Sequence, residues 1–345
     1  MINLKPIVDP IVLATTFIQP SPCQEGYGRV DNPTRLILEK RLAELEKARF
    51  ALVFSSGSAA VATVLSSLKK GDHIICHEET YEGTLRLLEK VFKKFGVGFS
   101  LVNLSKEKDI KKCVKKNTRL IWLENITNPT LKTLNVRSIS YLVNKSEIKI
   151  VVDNTFATPV FNNPLKNGAD IVLHSLTKFI SGHHDVIAGA VMLNDEKIFK
   201  KLKFLQQTMG VIPSAFDCFL IMRGIETLNL RMKKHWKNAK IITRFLSSHS
   251  KVEKVSFPGI GGVVSFWIKG DENMTLKFIK KLKIIKTAHS FGGTKSTILH
   301  PISMMTFSLK KEKLRKIGIT DTLVRLSVGL EKVNDLINDL KKSLD

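Results

Sequence analysis

Between residues 50 and 193 the sequence alternates short apolar segments with longer amphipathic ones. The longer segments carry apolar residues at helical spacing, as in 83–95, which is followed by a glycine suited to a helix end, Gly96. The short segments are predicted strands at 50–54, 73–77, 97–102, 120–124, 149–153, 170–174 and 188–193. This alternation predicts the α/β class, with a mostly parallel central sheet flanked by helices.

The segments on either side of this block predict two further parts of the chain. Before it, Asn32 and Pro33 are typical of a helix start. After it, a long helical stretch from Ser214 to about Phe245 leads to a smaller C-terminal α+β domain. The strands of that domain are predicted at 252–257, 263–268, 284–288 and 323–328. We therefore divide the chain into an N-terminal arm and helix (1–48), a large domain (49–222) and a C-terminal domain (223–345).

The net charge of +24 over 345 residues is the one unusual property of the composition. It would suit a nucleic-acid partner. The lysines, however, alternate with apolar residues such as Ile110, Leu202 and Ile279, as on the solvated face of an amphipathic helix. Aromatic residues make up 7% of the chain, and no basic cluster carries the aromatic side chains that stack on bases. We therefore expect no nucleic-acid partner.

Cysteine usage and hydropathy indicate a cytoplasmic protein. The cysteines lie far apart and form no CxxC pair: Cys23, Cys76, Cys113 and Cys218. This spacing argues against a disulfide framework and a structural metal site. No apolar run has the length of a membrane span, and the first residues lack the pattern of a signal peptide. His183, His184 and Asp185 look metal-like, but neighbours on an extended strand point apart, so we expect no metal.

An acid and a lysine stand at the ends of two successive predicted strands. Asp153 ends one strand, and Lys178 follows the next, flanked by the hydroxyls of Ser175 and Thr177. Taken singly, the acid would equally suit a helix cap, and the lysine a solvated surface charge. Together they suit pyridoxal phosphate (PLP), which needs a lysine for its aldehyde, a carboxylate for its ring nitrogen and donors for its phosphate.

The segment 55–60, SSGSAA, combines a strand end, a turn of small residues and a helix start. Free amides at a helix N-terminus bind anions, and Gly57 lets a phosphate approach the backbone. Tight packing of the turn explains the same residues equally well. With Ser175 and Thr177 as further donors, the segment becomes a candidate phosphate cup.

Seven segments together make the chain resemble the Cys/Met-metabolism PLP-dependent enzymes over nearly its whole length. This is the family of cystathionine γ-synthase, cystathionine γ-lyase, methionine γ-lyase and O-acylhomoserine sulfhydrylase. The segments are YGRVDNPT (27–34), SSGSAA (55–60), YEGT (81–84), ENITNP (124–129), VVDNTFATP (151–159), HSLTKFISGHHD (174–185) and LVRLSVGLE (323–331). The resemblance implies the fold of PLP-dependent transferases of fold type I.

The resemblance also implies how the cofactor is held. Lys178 would bond to the PLP aldehyde and move the Cα and Cβ protons, and Asp153 would keep the ring nitrogen protonated. Tyr81 would stack on the ring and act in acid–base steps, although a tyrosine there could also be a core aromatic. The phosphate would be held by the amides of Gly57 and Ser58 and the hydroxyls of Ser175 and Thr177.

A second set of matching residues would bind the substrate or reach a neighbouring subunit. Arg325 would clamp the α-carboxylate of an amino-acid substrate, with Ser290 beside it. Asn128 would bind the phenolic oxygen of the cofactor or the substrate. Tyr27 and Arg29 would reach the phosphate and substrate of the neighbouring subunit, which implies a dimer with shared sites, assembled into a homotetramer. As simpler alternatives, Arg325 could end a strand and Asn128 could start an Asn-Pro turn.

The chain departs from the family pattern at several positions. It begins close to the YGRVDNPT segment, which shortens the arm that joins dimers into tetramers. Ser58 replaces the usual methionine. Glu82 and Gly83 stand where methionine γ-lyases carry Gly-Cys, and His289 replaces a glutamate common in enzymes that handle cystathionine. A lone histidine of this kind is also often a packed or surface residue.

The resemblance predicts γ-replacement or γ-elimination on a sulfur amino acid or an O-acylhomoserine. Cystathionine γ-synthase or γ-lyase is the leading prediction, in trans-sulfuration and the biosynthesis of methionine or cysteine. O-acylhomoserine sulfhydrylase and methionine γ-lyase follow. A nucleic-acid-binding protein on a retired enzyme fold is a distant alternative, which the presence of Lys178, Asp153 and Arg325 together disfavours.

Overall fold

The computed structural model describes residues 6–18, 26–144, 146–305 and 311–345. Cys23 and the first five residues, on which two of the sequence arguments rested, lie outside these ranges. Within them the chain forms two sheets, and helices pack against both. In the described part of the chain, no helix is long and apolar enough to cross a membrane.

The first sheet has the strand order β1-β7-β6-β5-β4-β2-β3. Its strands are β1 (Phe50–Phe54), β2 (His73–His77), β3 (Gly98–Val102), β4 (Thr118–Glu124), β5 (Lys149–Asp153), β6 (Ile171–Ser175) and β7 (Gly189–Leu193). The pairs among β2 to β6 are parallel, and β7 runs antiparallel to both of its neighbours. The predicted α/β class and the mostly parallel sheet are therefore confirmed.

Helices cover this sheet on both faces. They are α1 (Pro33–Glu46), α2 (Gly57–Leu65), α3 (Glu82–Lys90), α4 (Glu107–Cys113), α5 (Val136–Val143), α6 (Thr158–Phe161) and α7 (Glu196–Met209). Successive residues of a strand point to opposite faces, so Val151 packs with Val64 and Leu202, whereas Val152 packs with Ile139 on the other side. The sheet is buried on both faces, which leaves its strand ends as the places for polar function.

The second sheet has the order β10-β11-β12-β9-β8 and lies with the C-terminal helices. The elements of this part are α8 (Ala215–Glu226), α9 (Leu228–Ser248), β8 (Val252–Ser256), β9 (Val263–Ile268), α10 (Glu272–Lys281), β10 (Lys286–Thr287), β11 (Thr297–Leu299), α11 (Pro301–Met304), α12 (Lys311–Ile317), β12 (Leu323–Ser327) and α13 (Val333–Leu344). The apolar side of α9, with Ile242 and Leu246, packs on Val264 and Phe266 of β9. The division at 1–48, 49–222 and 223–345 stays a prediction.

The helical stretch expected from Ser214 to Phe245 is two helices, which meet at Thr227. The guanidinium of Arg231 donates at this junction to the carbonyl of Gly224, at 2.6 Å, and to that of Phe179, at 2.7 Å. The prediction of one helix was wrong because the apolar spacing continues through the junction, whereas the break is stabilised by contacts between distant segments. Likewise, the helix expected at 83–95 ends at Lys90 and is followed by a separate 3-10 turn, Phe92–Phe95.

Candidate active site

A cavity of about 470 Å³ opens at the carboxyl ends of β4, β5 and β6. Open α/β sheets bind ligands at this edge, where the residues that end parallel strands converge. The cavity wall contains ten of the predicted site residues: Gly57, Ser58, Tyr81, Asn128, Asp153, Ser175, Thr177, Lys178, Ser290 and Arg325. Residues from both sheets therefore meet around one space.

Tyr27 and Arg29 are not part of the cavity wall. The Tyr27 side chain is 46% exposed, and the Arg29 guanidinium lies 5.4 Å from the centroid of its ring. Arg29 also donates to the carbonyl of Gln207. Their predicted contribution to the site of a neighbouring subunit stays a prediction.

Lys178 lies three residues beyond the end of β6 and points its amine into the cavity. Its Nζ donates to Ser290 Oγ at 2.9 Å. Burial and the positive charge of Arg325 lower the pKa of Lys178 to about 8. A lysine with a lowered pKa is partly neutral near physiological pH and can attack an aldehyde.

Asp153 is the last residue of β5, the strand that pairs with β6. Its Oδ1 accepts hydrogen bonds from the backbone N–H and the hydroxyl of Thr155, at 2.9 and 2.5 Å. Among the described residues its Oδ2 has no hydrogen-bond donor, which leaves one oxygen for a ligand. Burial raises the pKa of Asp153, and the bonds from Thr155 oppose that rise. Thr155 Oγ1 also accepts the N–H of Ser175, at 2.8 Å, and so joins the ends of β5 and β6.

The candidate phosphate cup lies at the start of α2. Ser56 caps this helix through a hydrogen bond from Ala59 N to its Oγ, at 2.9 Å. A Cβ added to Gly57 would stand 3.2 Å from Ser175 Oγ, so the glycine lets the helix start and β6 approach each other. The Thr177 hydroxyl accepts a hydrogen bond from the N–H of Ala188, at 3.0 Å, and donates one to the carbonyl of Ala188, at 3.1 Å. Thr177 could donate to a phosphate only by releasing the Ala188 carbonyl.

The second sheet contributes Arg325 of β12, which is 3% exposed. Its guanidinium donates to Asn128 Oδ1 at 2.7 Å and to the carbonyl of His289 at 3.1 Å, while its buried Nε has no partner. Burial lowers the pKa of Arg325 to about 10, so the group is still a cation at neutral pH. A buried cation with an unused donor suits a carboxylate ligand.

Tyr81 precedes α3, and its backbone N–H donates to the carboxylate of Glu124. Glu124 ends β4 in register with Asp153 and is 4% exposed. Burial and the charge of Asp153 raise the pKa of Glu124 well above its ordinary value. Burial and the charge of Glu124 also raise the pKa of the Tyr81 hydroxyl. Tyr81 therefore keeps its proton at neutral pH.

Sequence reasoning assigned no role to three cavity residues that contact the predicted ones: Thr155, Phe291 and, as an individual residue, Glu124. Thr155 and Glu124 lie inside segments that carried the family resemblance, so their placement at strand ends was an available signal. Phe291 gave no signal, because its partners lie in other segments. In the described ranges, no group of three or more His, Cys, Asp or Glu could hold a metal ion.

The donor set of the cavity fits PLP. It offers an amine of lowered pKa, a carboxylate with a free oxygen and a helix N-terminus beside a serine hydroxyl. The unused Nε of Arg325 further fits the carboxylate of an amino-acid substrate.

Comparisons with known proteins agree with this fit. A family model described as "Cys/Met metabolism PLP-dependent enzyme" matches residues 3–345. Cystathionine gamma-lyase of Dictyostelium discoideum is 42% identical, over 99% of this chain and 94% of its own length. The human enzyme of that name is 42% identical, over 99% and 89%.

Solved structures agree as well. That of metB from Corynebacterium glutamicum is 38% identical, with a TM-score of 0.93 over 98% of this chain and 93% of that one. That of cystathionine gamma-lyase from Lactobacillus plantarum, complexed with L-serine, is 35% identical, with a TM-score of 0.93 over 97% and 92%. The match of one family model to nearly every residue, on a fold and cavity that suit its cofactor, shows that the chain belongs to the Cys/Met metabolism PLP-dependent enzymes.

Proposed function

We propose that this chain is a trans-sulfuration enzyme whose main reaction is the γ-elimination of cystathionine. The observation that carries this proposal is its 41–42% identity, over 98–99% of its length, to proteins named cystathionine gamma-lyase. The cavity supports it with an amine for the proton transfers and a cationic clamp for an amino-acid carboxylate.

When bound, PLP supplies an aldehyde that bonds to amines and a ring that takes up the electrons left when Cα loses its proton. Lys178 would bond to that aldehyde at rest. Its amine, once displaced by the substrate amine, would remove the proton from Cα. With a pKa of about 8, the free amine is neutral in about a tenth of the molecules at pH 7, so a base is available.

Residues at the strand ends would hold the cofactor. Asp153 would face the ring nitrogen with its free Oδ2, because Thr155 holds the other oxygen in place. The amides of Gly57 and Ser58 at the start of α2 would bind the phosphate together with the Ser175 hydroxyl, and the Thr177 hydroxyl would join them on releasing the Ala188 carbonyl.

Residues around Arg325 would hold the substrate. Arg325 would bind the α-carboxylate, with Asn128 fixing one arm of the guanidinium. Ser290 would accept a hydrogen bond from the free Lys178 amine and so orient it in the cavity. Tyr81 would donate a proton in the acid–base steps, since its raised pKa keeps it protonated.

We further infer a dimer in which Tyr27 and Arg29 of one subunit complete the site of the other, and a tetramer of two such dimers in the cytoplasm. Two observations support an assembly. Tyr27 is half exposed, and Ile7 and Ile18 of the N-terminal arm are 102% and 98% exposed, which leaves apolar side chains that an assembly would bury.

Product analysis of the PLP-loaded protein tests the proposal. With cystathionine and water we expect cysteine, 2-oxobutanoate and ammonia by mass spectrometry, and no product from Lys178→Ala. The parallel mixture contains an O-acylhomoserine and cysteine. If cystathionine forms there and the first mixture gives no 2-oxobutanoate, the proposed γ-elimination is wrong and the reaction is γ-replacement. The two reactions use the same residues up to loss of the γ-substituent.

A further inference from the structure

Phe291 lies beside two of the cationic side chains that line the cavity, Lys178 and Arg325. The Nζ of Lys178 and the Cζ of Arg325 each lie 5.1 Å from the centroid of its ring. Phe291 is 6% exposed and forms part of the cavity wall. Among the residues that the structure describes, neither cation has a carboxylate within 4.0 Å, so the ring is the electron-rich group that they share.

The two residues before Phe291 contact the same cations. Ser290 Oγ accepts a hydrogen bond from Lys178, at 2.9 Å, and the carbonyl of His289 accepts one from Arg325, at 3.1 Å. The segment 289–291 therefore contacts the lysine through a hydroxyl and a ring, and the arginine through a carbonyl and the same ring.

The ring itself is held in place. Phe156 stacks on it with a centroid distance of 4.5 Å and an interplanar angle of 13°, and Phe179 packs on it at 5.9 Å. The following residue, Gly292, donates its N–H to Ser327 Oγ at the end of β12, at 3.0 Å. A ring fixed between two aromatic neighbours and a strand offers the cations a fixed π face.

We propose that Phe291 is a positioning residue that holds Lys178 and Arg325 in register and stabilises the positive charge on both. Two like charges in a buried site repel each other, and each repulsion disfavours the charged form of its partner. The negative face of an aromatic ring attracts both and opposes that effect. For its substrate arm this inference rests on the proposed function, because it assigns Phe291 to the grip on the amino-acid carboxylate.

The first test measures the titration of Lys178 in the cofactor-free protein. Lys178 is acetylated with limiting acetic anhydride at a series of pH values, and the modified peptide is quantified by mass spectrometry. In Phe291→Leu we expect the apparent pKa of Lys178 to fall by about 0.5–1, because the cation loses its π partner. Phe291→Tyr keeps the ring and should titrate like the wild type.

Two further variants guard against a purely structural effect. Phe266→Leu makes the same deletion in a buried phenylalanine of β9, away from the cavity, and should lower the melting temperature without moving the Lys178 titration. Phe291→Met fills more of the space without a π face and replaces the leucine variant if that protein does not fold. An unchanged Lys178 titration in a folded leucine or methionine variant would overturn the proposal for the lysine.

The second test uses the PLP-loaded protein. Since Arg325 loses one of its contacts, Phe291→Leu should raise KM for the amino-acid substrate about three- to tenfold, with a smaller change in kcat. Equal KM values for wild type and variant would overturn the proposal for the arginine. The labelling experiment needs no substrate, so its result is independent of whether cystathionine is the substrate.

Discussion

At the scale of single residues, the buried guanidinium of Arg325 has the most constrained role. It already donates to Asn128 and to the backbone of His289, and a bound carboxylate would use the remaining donors. Arg325→Lys keeps the charge but cannot make all of these bonds at once. We expect KM for the amino-acid substrate to rise about 10- to 100-fold, with a smaller effect on kcat. Arg315→Lys, on exposed α12, is the matched control, and a KM effect of the same size there would argue against a specific clamp.

Lys178 gives a pH prediction whose sign follows from its lowered pKa. A pKa of about 8 makes the amine neutral above that pH, in contrast to an ordinary lysine near 10.5. The rate at which cofactor-free protein gains its visible absorption band in excess PLP should therefore rise up to about pH 8 and level off above it. Stopped-flow absorbance between pH 6 and about 10 checks this. A rate that climbs steadily to the upper end of that range would show that the lysine is not perturbed.

At the scale of elements, the junction of α8 and α9 supports the segment that follows Lys178. Arg231 is 5% exposed there and donates to the carbonyls of Phe179, Ile180 and Gly224. Arg231→Gln leaves several of these buried acceptors without a donor, so we expect a loss of about 2–4 kcal/mol in the free energy of unfolding. Urea denaturation followed by circular dichroism measures it. Arg223→Gln, at an exposed site of α8, should cost little, and similar losses in both variants would contradict the role of the junction.

The elements also show what could be predicted from the sequence and why. Asp153 and Lys178 could be placed at one sheet edge because each lies at or just beyond the end of a short apolar strand. The end of such a strand can be recognised from the local sequence. The contacts of Phe291 could not be predicted, because they join it to Lys178 and Arg325, which lie 113 and 34 positions away in the sequence. The antiparallel insertion of β7 between β1 and β6 also depends on chain-wide topology rather than on local spacing.

At the scale of the whole molecule, the proposed dimer with shared sites leads to a quantitative prediction. Lys178→Ala should be inactive, and Arg29→Ala should be severely impaired if its guanidinium serves the partner's site. In a mixed dimer, one site combines an intact Lys178 with an intact Arg29 from the partner, and the other carries both defects. The mixed dimer, with one intact site out of two, should therefore show about half of wild-type activity. Co-expression with two affinity tags and assay of the doubly purified protein checks this, and a mixture no more active than its parts would indicate separate sites.

Residues of both sheets line the cavity, and the loop after β4 is hydrogen-bonded to the second sheet. Ser265 of β9 donates to the carbonyl of Pro129, at 2.6 Å. The preceding residue, Asn128, accepts a hydrogen bond from Arg325. A chimera that exchanges the C-terminal sheet and its connecting segments between relatives would therefore exchange Arg325, the proposed substrate clamp, together with Ser290 and Phe291, which contact Lys178. We therefore expect substrate range and the basicity of Lys178 to change together among relatives that differ in this sheet.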